Sequence, residues 1–175
     1  MTPQHLYCYD TRTIWIAIIV IIITLVVIGA LWHNLYIWTN NNHLVGYIAP
    51  INESVWEHLK LIFVPFLLVG LIIWLLVEVN NFIFGLAIAM LLAMIFIIIA
   101  FYTYTGAFGI ENIFIDIVIF IIAIILSVWV AYIIFNADPY PSWTLIIGWI
   151  IIIVIAVAII GFTYHAPAIP LFTSP

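Results

Sequence analysis

Arg12 and Lys60 are the only two basic residues in a chain of 175, against seven acids and five histidines. Positive charge this sparse excludes a nucleic-acid face, which needs clustered Lys and Arg, and a polybasic segment that would hold anionic lipid. The single cysteine, Cys8, cannot close an internal disulfide or build a cysteine-ligated metal centre, and is expected to be a free thiol. Charged residues are 5% of the chain and hydrophobic residues 69%, against about 45–50% in soluble domains. Mean hydropathy is +1.44. No water-soluble fold covers that much Ile, Leu and Val, so the expected partner is the lipid bilayer.

A helix needs about 20 apolar residues to cross a bilayer. Five runs qualify, at roughly 13–32, 59–79, 82–101, 113–135 and 143–162. The expected fold is all-α: one integral membrane domain over residues 1–175, a transmembrane helical bundle with five spans. Ile14 to Leu31 outruns the roughly 7–15 apolar residues of a signal peptide and is expected to be retained. Trp32, Tyr36 and Trp38 form an aromatic girdle at its far end. Pro65 lies within the first two turns of the second run, where a kink is expected. Gly106 and Gly109 break the chain before the fourth run, and Asn136 to Ser142 is a turn rich in Pro and Asx residues.

Alternating five spans across a membrane puts residues 34–58, 102–112 and 163–175 on one side. That side then carries His33, His43, Glu53, Glu57, His58, Tyr102, Tyr104, Glu111, Asn112 and His165, while the other holds little beyond Arg12, Glu78 and Asp138. The polar chemistry is one-sided. Arg12 ahead of the first span favours a cytoplasmic N-terminus by the positive-inside rule, although Lys60 then falls outside.

The densest polar stretch is Asn52-Glu53-Ser54-Val55-Trp56-Glu57-His58-Leu59-Lys60. Ser54-x-x-Glu57 ahead of an apolar run reads as a capping box, in which the Ser hydroxyl takes an orphan amide and Glu57 reaches back. Asn52 is an alternative cap. Glu53 and Glu57, four apart, are expected to share one helix face, which two bare carboxylates resist unless a cation lies between them. Imidazole and carboxylate donors suit zinc or manganese. The candidate metal ligands are therefore His33, His58 and His165, with a divalent transition metal such as zinc as the cofactor. Hydrogen-bonded interfacial histidines are the plain alternative. Asp116, one turn into the fourth run, needs a partner or a wet cavity because an intramembrane carboxylate costs about 2.5–3.5 kcal/mol. Glu53, Glu57 and Asp116 are the candidate catalytic carboxylates, and His5 and His43 are expected to be solvated bystanders.

Gly29…His33…Tyr36…Trp38, the stretch Leu44 to Leu61 with its NESVWEHLK core, Phe101-Tyr102-Thr103-Tyr104-Thr105-Gly106 and Pro167-Ala168-Ile169-Pro170-Leu171-Phe172 together resemble an uncharacterised family of small bacterial multi-pass membrane proteins. That resemblance implies the architecture and the polar cluster only and carries no activity; the expected location is the plasma membrane of a prokaryotic cell. Ser54-x-x-x-His58 is similar in spacing to seven-span metal-dependent lipid hydrolases such as the alkaline ceramidases. Those also carry an HxxxH near the last span and two further helices, neither of which occurs here. Three function classes follow: a metal-dependent membrane hydrolase with Glu57 or Asp116 as base, a small proton-coupled carrier, and a structural or assembly subunit. The last would use its polar face on a second copy of the chain or on another protein.

Overall fold

The structure is a computed structural model that describes residues 10–174, so Cys8 and His5 lie outside the described residues. Helix α1, Thr11–His33, runs almost directly into two short helices, α2 at Leu35–Trp38 and α3 at His43–Gly46. Helix α4, Val55–His58, continues after a one-residue break at Leu59 into α5, Lys60–Leu76. Then come α6 (Phe82–Phe108), α7 (Ile113–Phe135), α8 (Trp143–Tyr164) and a single 3-10 turn at Pro170–Phe172. There is no strand among the described residues. Five helical segments, with α4 and α5 taken as one, are long and apolar enough to cross a membrane.

Helix α6 is the centre of the bundle, packed against α5, α7 and α8, while α1 packs on α5 and α7. Ala87, Ala89, Met90 and Ala93 are completely buried along α6. Lipid is as apolar as leucine, so helices associate where small residues let backbones come close. Gly148 of α8 shows this: a Cβ there would stand 3.0 Å from the backbone carbonyl of Ile83 in α6. The outer faces carry large hydrophobic side chains turned outwards, among them Ile16, Ile23, Trp149, Ile153 and Val157. Patches this extensive are rare on soluble proteins and suit a hydrocarbon solvent.

The element boundaries depart from the apolar runs in two places. The third long helix continues past Phe101 to Phe108, so Tyr102 to Gly106 is helical. Thr103 and Thr105 satisfy their hydroxyls within that extra length by donating to the carbonyls of Ile99 and Phe101. The helix ends at Gly109, whose φ of +65° is left-handed and costs glycine nothing. The second long helix starts earlier, at Val55, and stops at Leu76, after which Val77 is extended. Pro65 is buried within α5 and has no N–H for the Leu61 carbonyl. That freed carbonyl faces Gly29 of α1, where a Cβ would stand 3.2 Å from its oxygen.

Two polar knots tie the ends of the bundle. At one end the Asn81 side chain donates to the carbonyls of Ile134 and Asp138, each at 3.1 Å, and accepts from the Tyr140 amide at 2.7 Å. At the other end, Tyr164 donates to the His43 carbonyl at 2.8 Å. Trp56 of α4 lies 4.9 Å from the ring of Phe172. A small cavity of about 150 Å³ there is lined by Val55, Tyr102, Glu111 and Pro170 among others. The first connecting segment, the end of α6 and the C-terminal segment thus meet at one end of the bundle.

Candidate metal centre

The last residue of α1 and the last residue of α4 face one another. His33 Nε2 lies 3.1 Å from His58 Nε2, and the rings are 5.1 Å apart at 45°. Glu53 closes a triangle, its Oε2 at 3.5 Å from His33 Nε2 and 3.3 Å from His58 Nε2. A tetrahedral zinc site with metal–nitrogen bonds of 2.0–2.1 Å has ligand–ligand edges of about 3.3–3.4 Å. The three donor–donor separations lie within about 0.3 Å of that edge.

Local structure aims each donor. Ser54 caps α4, its hydroxyl accepting from the Glu57 amide at 3.3 Å, and the Asn52 side chain accepts from the Ser54 amide at 2.9 Å. The Ser54 carbonyl then receives His58 Nδ1 at 2.8 Å. A carbonyl only accepts, so Nδ1 carries the proton, and in the neutral ring Nε2 offers its lone pair to the centre. Imidazole ligands of metals are held in this way by an outer hydrogen bond. His33 arrives because Gly29, one turn back and buried, lets α1 lie against α5 and α7. The His33, His58 and Glu53 side chains are 34%, 30% and 69% exposed, so the open side of the triangle faces outwards.

The other expected residues are placed elsewhere. Glu53 and Glu57 do not share a face, because Glu53 precedes the Ser54 cap and stands outside the helix. Glu57 turns inwards, accepting from Lys60 Nζ at 2.6 Å and from the Ile51 amide at 2.9 Å, so only the Ser54 half of the capping box forms. Asp116 accepts the Tyr104 hydroxyl at 2.6 Å, and that hydroxyl accepts the Asn112 amide at 3.3 Å. His165 ends α8, exposed, and is not part of the donor group that His33, Glu53 and His58 form. His43 stacks on Tyr164 with ring centres 4.1 Å apart. Glu53, expected as a catalytic carboxylate, is thus the third donor beside the two histidines. The sign of it in the sequence is its place just before a Ser N-cap, with His58 at the end of the single turn that follows.

The chain finds no match among curated proteins or among solved structures. A family model described as a family of unknown function (DUF6512) matches residues 5–175, and the chain belongs to that family.

Proposed function

We propose that this chain is an integral membrane protein that holds a divalent transition metal, zinc by its donor set, on His33, Glu53 and His58, and uses it in hydrolysis. The observation that carries the reading is the triangle of 3.1, 3.3 and 3.5 Å, with the His58 tautomer set by the Ser54 carbonyl. Three protein ligands leave a fourth position for water, as in catalytic zinc sites, whereas structural sites close with four. A metal in such a position lowers the pKa of a bound water and polarises a carbonyl. Glu57 and Asp116 are engaged by Lys60 and Tyr104, so Glu53 is the carboxylate nearest the chemistry. In this reading the N-terminus is cytoplasmic and the metal face outside, which Arg12 favours and Lys60 opposes, and the membrane is the plasma membrane of a prokaryotic cell.

Elemental analysis of protein purified without chelators tests the site. About one transition-metal ion per chain is expected, lost in His58→Ala and kept in His165→Ala, because losing one of three ligands disables an open site. Metal-free protein whose His33–His58 pair stays ordered would overturn the reading in favour of a proton shared between the two imidazoles. Metal content with no chelator-sensitive hydrolysis of ester, amide or phosphoester probes would leave a binding site and remove the hydrolase.

A further inference from the structure

An ammonium and a carboxylate buried together cost more in desolvation than their attraction returns unless their remaining hydrogen-bonding capacity is used. Lys60 is 0% exposed and Glu57 2%, and their capacity is used on one segment of chain. Lys60 Nζ donates to Glu57 Oε2 at 2.6 Å, to the Gly46 carbonyl at 2.7 Å and to the Ala49 carbonyl at 3.4 Å. The same Glu57 oxygen accepts the Ile51 amide at 2.9 Å. Three backbone groups of the 46–51 segment are thus gathered on a pair rooted in α4 and α5.

Glu53 follows two residues after Ile51. Its carboxylate is 69% exposed, and among the described residues its polar neighbours are the two imidazoles. Neither histidine donates a proton to it while both act as neutral ligands, so its place depends on the backbone that carries it. We infer that the Glu57–Lys60 pair is a positioning element for the metal centre. By clamping residues 46–51 to the start of α5, it sets where Glu53 stands beside His33 and His58. This rests on the metal reading above. Glu57 and Lys60 act through Glu53 and touch no substrate or metal themselves. Supporting groups of this kind decide whether a constellation is held tightly enough to bind.

The test releases the clamp without leaving a buried charge. Glu57→Gln with Lys60→Met removes both charges and the two bonds to the Gly46 and Ala49 carbonyls. Cobalt affinity, read from its visible spectrum in detergent, is measured with Glu53 present and in a Glu53→Gln background. The expected result is a loss of about 10- to 100-fold with Glu53 present, the usual size for removing support from a ligand, and a change within about twofold in the Glu53→Gln background. Equal loss in both backgrounds, or none in either, overturns the inference.

A second measurement needs no metal. Nitroxide labels at Glu53→Cys and Ala107→Cys, in a Cys8→Ser chain, report a distance distribution by pulsed EPR. Releasing the clamp is expected to broaden it, and an unchanged width overturns the inference. Failure of the wild-type chain to bind cobalt or zinc removes the metal reading alone, and the label widths still decide the clamp.

Discussion

Gly29→Ala is a small change with a calculable reach. A methyl at this point of α1 would meet Phe120 Cζ at 2.6 Å and the Leu61 carbonyl oxygen at 3.2 Å. Carbon atoms settle at about 3.5–4.0 Å, so the Phe120 ring must retreat by roughly 1 Å. That ring is the far end of a side chain and can turn. The Leu61 oxygen is backbone within a buried helix, so α1 itself has to back away by a few tenths of an ångström. Overpacking of this kind costs about 1–3 kcal/mol, offset by roughly 0.5–1 kcal/mol of helix propensity gained over glycine. The net expectation is a stability loss of up to about 2.5 kcal/mol.

A second consequence falls one turn on, at His33. A metal site tolerates about 0.2 Å of ligand displacement, so the retreat of α1 should weaken metal binding at least tenfold, about 1.4 kcal/mol. Cobalt titration in detergent, paired with thermal melting, reads both effects. Gly161→Ala is the control, since a Cβ there meets nothing within 4 Å and should leave binding intact. Equal cobalt affinity and equal melting in the two variants would refute the argument that Gly29 sets the spacing of α1 from α5.

Two further outcomes test the arrangement of the polar end. Tyr104→Phe leaves Asp116 Oδ1 without its 2.6 Å donor and should cost about 1.5–3 kcal/mol of stability while metal content stays unchanged. Loss of metal in this variant would make the Tyr104–Asp116 pair part of the centre. Single cysteines at Asp10 and at Ser174, in a Cys8→Ser chain, should be labelled from opposite sides of a sealed vesicle, because five crossings separate them. Labelling of both from one side refutes five crossings.

The five long helices were legible because membrane spans announce themselves by length and hydropathy alone. Their ends were less so. Phe101 looks like the end of an apolar run, yet the next seven residues stay helical, with threonine hydroxyls bonded back to the helix and Gly109 supplying the stop. Hydropathy counts polar side chains without knowing that their hydrogen bonds can be satisfied within the helix. The Ser54 cap was legible for the opposite reason: it is a local pattern with a local partner.

The direction of Glu53 was implicit in that same cap. Glu53 and Glu57 have the spacing of a helix face, and only the position of the cap shows that one stands outside the helix and the other inside the bundle. By itself, the sequence determined that the chain needs five apolar helices and that, if they alternate across a membrane, four of the five histidines fall at one end with Glu53, Glu57, Glu111 and Asp116. Tertiary structure alone decided that His58 and Glu53 meet His33 and that Tyr104 takes Asp116. The meeting with His33 turns on separations of a few ångströms between α1 and the start of α5. Close approaches such as that of Gly29 to the Leu61 carbonyl set those separations, and no single-helix periodicity encodes them.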